Sequence, residues 1–158
     1  MTNNKLSHVA FILDGNKRWA KKNKLSTIKG YKKGFDNIKN IIEFCLSNNI
    51  SDLTLFALSS ENFNRPSLEI IYDIIYENFN NLINDTLIKK NVKIKIFGIR
   101  KNLPKKIINI FNEAEKISNN NNSLNLNIAF NYGFKEEIKE VLIKYKKNYA
   151  SIDLDQDY

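Results

Sequence analysis

A short apolar run that ends abruptly in a polar turn constrains the fold of this chain more than any other feature. The run covers residues 9–13 and is typical of a strand buried on both faces, as in a parallel sheet. Asp14, Gly15 and Asn16 follow it with turn chemistry, and a helix can begin near Arg18. The stretch predicts polar side chains at the carboxyl end of a strand, which is where ligands bind in open α/β sheets.

The same alternation of strand and helix patterns continues along the whole chain. Further strands are predicted at residues 53–58, 92–97 and 124–130, with helices over about 35–48, 66–90, 104–118 and 134–147 and polar loops at 25–30, 59–66 and 119–122. Lysine alternates with apolar residues in 92–97, which indicates a strand near the edge of the sheet. The pattern predicts one α/β domain over residues 1–158, a parallel-sheet sandwich of alternating strands and helices.

Composition limits the classes of function. With 158 residues and 42% hydrophobic residues, the chain can bury a sizeable core. The net charge of +8 suits an anionic partner, but lysine is enriched all along the chain, which favours compositional drift as its source. A single Cys and a single His cannot build a soft metal centre, so any metal must be a hard cation held by oxygen. Cys45 is expected to pack as a small hydrophobe.

No targeting or membrane-spanning pattern is visible in the sequence. The first five residues have no apolar signal core, and no apolar run approaches the ~20 residues needed to cross a bilayer. We therefore expect a cytoplasmic protein.

Two polar clusters follow two successive strands. The first contains Asp14, Asn16 and Arg18, and the second contains Ser59, Glu61, Asn62 and Arg65. Because the carboxyl ends of parallel strands meet at one sheet edge, we expect the clusters to converge. An aspartate facing two arginines suits Mg²⁺ bridging to a diphosphate. Each residue alone could be a turn or capping residue, but the two clusters together favour a site.

Arginine is rare in this lysine-rich chain. It occurs only at Arg18, Arg65 and Arg100, and a planar guanidinium grips two phosphate oxygens where a point charge cannot. Arg18 and Arg65 lie in the polar clusters and are interpreted as functional. Arg100 lies outside them and is interpreted as an ordinary surface residue.

The predicted helix over 66–90 has more apolar residues than one narrow stripe requires. They include Ile70, Ile71, Ile74, Ile75 and Phe79. The helix could seal the core on one side and line an apolar channel on the other, although ordinary core packing explains the pattern equally well. A channel beside a diphosphate site would suit an isoprenoid tail.

Three motifs in order resemble those of the cis-prenyltransferases, the family of undecaprenyl diphosphate synthase. Residues 11–20, FILDGNKRWA, resemble the opening D-G-N-x-R-W-A motif. Residues 55–66, LFALSSENFNRP, resemble the second motif, F-S-x-E-N-W-x-R-P, and residues 126–133, LNIAFNYG, resemble the third, L-N-I-A-x-N-Y-G. The resemblance covers essentially the whole chain.

The resemblance implies condensation of isopentenyl diphosphate with an allylic diphosphate, such as farnesyl diphosphate, to a cis-polyprenyl diphosphate with Mg²⁺ as cofactor. Asp14 would hold Mg²⁺ and the leaving diphosphate, and Asn62 would assist proton removal by positioning the acceptor, since an amide is a poor base. The long helix would line the product tunnel. The substrate-binding positions implied are Gly15, Asn16, Lys17, Arg18, Trp19, Thr27, Tyr31, Ser59, Ser60, Glu61, Phe63 and Arg65.

The resemblance also bears on partners. The family suggests a homodimer and peripheral contact with a membrane through the product. Nucleic acid is not expected as a partner. The chain is expected to lack the C-terminal family segment with the R-T-x-G-E and R-x-S-N-F motifs, which bind isopentenyl diphosphate, supply a second metal ligand and form much of the dimer interface.

Some positions depart from the family pattern. Thr27 and Tyr31 stand where the family usually has Arg and His, and Phe63 replaces the Trp of the second motif. Ile99 follows Gly98 where the family has Asp, and Phe-Lys replaces Gly-Arg after the third motif.

Two alternatives stay open at this stage. One is a catalytically impaired or non-catalytic family member that acts as a partner subunit or is a degenerate copy. The other is a phosphate- or RNA-binding module, for which the alternation of Lys93 and Lys95 is the only sign.

Overall fold

A computed structural model describes residues 6–83 and 89–148. Strands and helices alternate through these residues, as predicted. The elements are β1 (His8–Ile12), α1 (Asn16–Lys22), α2 (Thr27–Ser47), β2 (Asp52–Ser59), a 3-10 turn (Ser60–Asn62), α3 (Leu68–Leu82), β3 (Val92–Phe97), α4 (Lys105–Ile117), β4 (Leu124–Tyr132) and α5 (Phe134–Asn148).

The four strands form one parallel sheet in the order β1-β2-β4-β3. This confirms the predicted α/β class with a parallel sheet. The lysine-bearing strand β3 lies at one edge, also as predicted. Strands β1 and β2 are neighbours in register, with Ile12 opposite Phe56. The two polar segments that follow these strands therefore begin side by side.

The prediction that the first strand is buried on both faces is wrong. Strand β1 forms the other edge of the sheet, and most of its residues are exposed. Ile12 is 77% exposed, and Phe11 is also exposed. A continuous apolar run predicts a central strand, but the sequence pattern alone does not distinguish a strand covered on both faces from an apolar strand at a sheet edge.

The second helix begins earlier than predicted. Residues 25–30 were expected to be a loop, but α2 starts at Thr27. Ser26 has an extended conformation, and its hydroxyl accepts a hydrogen bond from the Lys29 amide at 3.4 Å, which is an N-cap. Helix α3 covers Leu68–Leu82, whereas the prediction ran over 66–90; residues 84–88 lie outside the described part of the chain.

The core lies between the sheet and helices α2, α3 and α4. Alternate strand residues point into it, and the fully buried side chains include Ile42, Leu53, Leu55, Ile107 and Leu126. Burying each such aliphatic side chain contributes about 1.5–3 kcal/mol. Cys45 is fully buried in this core, as expected, and burial raises the pKa of its thiol.

Helix α5 follows β4 and exposes a row of hydrophobic side chains to solvent. The large hydrophobic residues exposed along it are Phe134, Ile138, Val141, Leu142, Ile143 and Tyr145. Within the described residues, no helix is long and apolar enough to cross a membrane.

Candidate active site

Two polar segments meet at the carboxyl edge of the sheet. The turn after β1 carries Asp14, and the 3-10 turn after β2 carries Asn62. The amide of Leu13 donates a hydrogen bond to the Phe56 carbonyl at 2.9 Å, which holds the end of β1 against β2. The parallel pairing thus brings the two motifs together, as the sequence predicts.

Asp14 is fixed by its own turn. The Gly15 amide donates to Asp14 Oδ1 at 2.5 Å, and Arg18 Nη2 donates to Oδ2 at 3.1 Å. Gly15 has a φ of 91°, a left-handed conformation that glycine adopts without strain. The Gly15 hydrogen bond first, and then the Arg18 charge, hold the pKa of Asp14 below its usual value. The carboxylate is therefore ionised at neutral pH.

A polar cavity of about 390 Å³ opens between the two segments. Asp14, Arg18 and Arg65 all line it, and the Arg65 charge also helps to lower the pKa of Asp14. Of the predicted site residues, the cavity brings together Asp14, Gly15, Asn16, Lys17, Arg18, Tyr31, Ser59, Asn62 and Arg65.

Five predicted substrate-binding residues do not line either cavity described here. Trp19 and Glu61 are exposed, Thr27 is the first residue of α2, and Phe63 packs against the core. Ser60 turns away and its hydroxyl donates to Glu136 Oε2 at 3.0 Å. Adjacency in the motif does not fix orientation, because successive residues of a turn point in different directions.

The hydrogen bond between Ser60 and Glu136 holds the second motif against the helix that follows the third motif. A Cβ at Gly133 would collide with Ser60 Oγ and Glu136 Oε2, so glycine allows the turn after β2 to approach the start of α5. The sequence did not single out Glu136. Its position in the first turn of the helix that follows the third motif is the only signal that could have found it.

A second, apolar cavity of about 280 Å³ adjoins the polar one. Both are lined by Leu13, Asn16, Tyr31, Ala57 and Ile71. Helix α3 contributes further apolar lining residues, namely Ile74, Ile75 and Phe79, while the same residues also pack in or against the core. Of the two interpretations of this helix, the structure favours the one in which it lines an apolar space as well as packing in the core, although the same residues do both rather than opposite faces of the helix.

Tyr31 stands at the junction of the two cavities. Its hydroxyl donates to Ser67 Oγ at 3.4 Å, which links α2 to the residue preceding α3. Ser67 is buried and lines the polar cavity, although sequence reasoning treated it only as the start of a helix.

Arg100 plays a different part from the other arginines. Its guanidinium donates to Glu115 Oε2 at 2.7 Å, to the Ile96 carbonyl at 3.2 Å and to Asn112. These contacts tie the exit of β3 to α4. The interpretation of Arg100 as a residue outside the site agrees with this position.

Two glycines of α2 set the position of α1. A Cβ at Gly30 would lie 2.5 Å from the Asn16 carbonyl oxygen and 2.8 Å from the Ala20 Cβ, and a Cβ at Gly34 would collide with the Asn16 side-chain amide. The first contact involves the backbone and the second only the end of a side chain. Gly30 therefore restrains the backbone of α1 at Asn16, whereas Gly34 restrains only the Asn16 side chain.

We expect Gly34→Ala to displace the Asn16 amide and to weaken binding of an allylic diphosphate about tenfold, the cost of roughly one hydrogen bond to a charged group. The melting temperature should change little, because the amide can rotate away. Gly30→Ala is the matched control and should lower the free energy of unfolding by about 2 kcal/mol through overpacking. Calorimetric titration with farnesyl diphosphate and thermal unfolding measure the two effects; equal loss of stability in both variants would contradict the assignment.

Comparison with known proteins identifies the family. A family model described as "Putative undecaprenyl diphosphate synthase" matches residues 12–157. The chain belongs to this family. It is 40% identical over 146 residues to a ditrans,polycis-undecaprenyl-diphosphate synthase, (2E,6E)-farnesyl-diphosphate specific, of Wigglesworthia glossinidia brevipalpis, covering 91% of this chain and 56% of the relative. It is 35% identical over 139 residues to an isoprenyl transferase of Aquifex aeolicus, covering 87% of this chain and 60% of the relative.

A solved structure agrees in fold. The crystal structure of lavandulyl diphosphate synthase from Lavandula x intermedia, in complex with dimethylallyl diphosphate, matches with a TM-score of 0.85 and 26% identity, and the match covers 98% of this chain and 67% of that one. The chain spans between about half and two thirds of the length of the relatives that it matches.

Proposed function

We propose that the protein is a prenyltransferase that joins an allylic diphosphate to isopentenyl diphosphate and yields a cis-polyprenyl diphosphate. The observation that carries the proposal is the polar cavity with Asp14, Arg18 and Arg65, which shares lining residues with an apolar cavity beside α3. One cavity suits a diphosphate and the other an isoprenoid tail. Relatives named for farnesyl diphosphate and a structural neighbour in complex with dimethylallyl diphosphate support an allylic substrate.

Magnesium fits the donor set only together with a diphosphate. Among the described residues, no group of three or more His, Cys, Asp or Glu could hold a metal. Mg²⁺ commonly takes one or two carboxylates and completes its shell with substrate phosphates and water. The ionised Asp14 carboxylate faces the polar cavity and would hold the ion there. When bound, Mg²⁺ supplies charge neutralisation for a departing diphosphate.

The cationic side chains act on the leaving group. Arg18 and Arg65 can each donate two hydrogen bonds to diphosphate oxygens. As the allylic carbon–oxygen bond breaks, the diphosphate takes the bonding electron pair, and donors already in place stabilise the developing charge. The π electrons of isopentenyl diphosphate form the new carbon–carbon bond, and one proton is lost. Asn62 lines the cavity and would position the proton acceptor.

The direct test is incorporation of labelled isopentenyl diphosphate into butanol-extractable product, with farnesyl diphosphate and Mg²⁺. We expect incorporation that depends on all three components and stops on addition of EDTA. Titration with the unreactive thiolo analogue of farnesyl diphosphate provides an independent readout. If the protein binds the analogue and loses this binding in Asp14→Ala, but incorporates no isopentenyl diphosphate, the partner-subunit alternative would replace catalysis. If the protein neither binds the analogue nor incorporates isopentenyl diphosphate, the proposal would be overturned. A homodimer remains a prediction from the resemblance, and a cytoplasmic location remains a prediction from the targeting and hydropathy patterns of the sequence.

A further inference from the structure

The net charge of the chain is concentrated in one corner of the fold. Residues 15–35 contain eight Lys and Arg residues and no Asp or Glu, and the rest of the chain has 17 of each sign, so the whole formal charge of +8 resides in this segment. The segment comprises α1, the loop after it and the first turns of α2. We call residues 17–33 the basic corner. Lysine enrichment along the whole chain does not explain such a separation of charge.

Most cations of the basic corner have no counter-ion among the residues that the structure describes. Arg18 pairs with Asp14 at 3.1 Å and Lys32 with Glu77 at 2.7 Å. Within residues 6–83 and 89–148, no carboxylate pairs with the remaining exposed lysines of the corner, which are Lys17, Lys21, Lys22, Lys24, Lys29 and Lys33. Like charges held together repel one another, so an anionic partner would stabilise this arrangement.

Large apolar side chains are exposed among these lysines. Trp19 is 42% exposed, Leu25 is 37% exposed and Ile28 is 49% exposed. The Leu25 amide donates to the Ala20 carbonyl at 2.9 Å, which folds the loop back onto the end of α1. Lysines that surround Trp and aliphatic side chains are the composition of segments that lie in a bilayer interface. Aliphatic side chains cannot stack on bases, so the composition fits lipid better than nucleic acid.

We propose that the basic corner docks on the surface of an anionic lipid bilayer, with Leu25 and Ile28 among the acyl chains and the lysines at the headgroups. Lys17 and Arg18 also line the polar cavity, so the cavity lies beside the docked surface. The inference rests on the proposed function in one respect: a polyprenyl product is apolar and leaves most easily into lipid. Vesicle binding itself requires no catalysis.

The single tryptophan makes the interaction directly observable. Trp19 is the only Trp of the chain and lies within the corner. We expect its fluorescence to shift to shorter wavelength, and the protein to sediment, with vesicles that contain phosphatidylglycerol in phosphatidylcholine. Vesicles of phosphatidylcholine alone should give neither effect. Equal binding to both kinds of vesicle, or to neither, would overturn the proposal.

Charge variants test the location of the surface. Replacing four corner lysines with Gln (Lys21, Lys22, Lys24 and Lys29) should weaken binding to anionic vesicles roughly 100-fold, since each lysine near such a surface contributes substantially. The matched control removes the same charge from exposed lysines elsewhere, at Lys95, Lys101, Lys105 and Lys116, and should weaken binding severalfold at most. Equal losses would assign the effect to net charge and reject a docking surface.

Apolar variants distinguish lipid from other anions. Leu25→Ser combined with Ile28→Ser should weaken vesicle binding about tenfold, because apolar surface no longer leaves water. Unchanged vesicle binding in this variant, or preferential binding to single-stranded RNA in competition with vesicles, would overturn the lipid assignment.

Assays in detergent with farnesyl diphosphate separate this proposal from the proposed function. The four-lysine variant should keep its prenyl transfer there while losing vesicle binding. Vesicle binding by a protein without transferase activity would overturn only the proposed function. Loss of transfer with intact vesicle binding would assign these lysines to substrate steering instead.

Discussion

Asp14→Asn is expected to lower kcat/KM for prenyl transfer by about a thousandfold or more, the scale on which charge stabilisation at a reacting centre acts. Asparagine keeps the size of the side chain and an oxygen that can accept the Gly15 hydrogen bond. It removes the negative charge that would hold Mg²⁺ at the polar cavity. Thermal stability should change little, because Asp14 is exposed.

The control for Asp14→Asn is Asp36→Asn, an equally conservative change at an exposed carboxylate of α2 outside both cavities. Its kcat/KM should equal that of the wild type. Mg²⁺-dependent binding of the thiolo analogue of farnesyl diphosphate gives a second measurement on the same pair. If Asp14→Asn kept both rate and affinity, the cavity would not be the diphosphate site.

Gly98→Ala should have the largest effect on stability, a loss of about 3 kcal/mol or more. Gly98 has a φ of 127°, which residues with a side chain rarely adopt, and its added Cβ would collide with the Phe130 carbonyl oxygen. The surrounding backbone cannot yield easily, because the Ile99 amide donates to the Asn131 carbonyl at 3.0 Å and the Asn131 side chain donates back to the Ile99 carbonyl at 2.8 Å.

Thermal unfolding measures this loss, and we expect a decrease in Tm of about 10 °C. Lys95→Ala, at an exposed position of β3, the strand that ends just before Gly98, is the control and should leave Tm nearly unchanged. A Gly98→Ala protein as stable as the control would show that the exit of β3 relaxes without cost.

Local chemistry made much of the fold and site predictable. The turn after residue 13 and the lysine alternation in β3 each indicate their surroundings from a few neighbouring residues, and Cys45 is expected in the core from its residue type. The convergence of Asp14 and Arg65 followed from one topological rule, because parallel neighbours end at the same edge. Arg18 and Arg65 were identified because arginine is rare in this chain.

What sequence reasoning missed depends on long-range placement. The exposure of Ile12 follows from the position of β1 at a sheet edge, and apolar runs look alike at edges and centres. The motif predicts Ser60 as a substrate-binding residue but does not predict that its hydroxyl donates to Glu136, 76 residues later. The hydrogen bond between Tyr31 and Ser67 likewise joins residues that are 36 positions apart in the sequence. Such pairings exist only once the chain has folded.

The burial of Cys45 has a practical consequence. A protonated thiol that no solvent reaches reacts with an alkylating reagent only when the core opens transiently. The rate of Cys45 alkylation therefore measures how often the core opens. Because the chain has one cysteine, mass spectrometry of the intact protein counts those events without an engineered probe. Gly98→Ala and Gly30→Ala should both raise the rate of Cys45 alkylation, whereas Asp14→Asn should leave that rate unchanged.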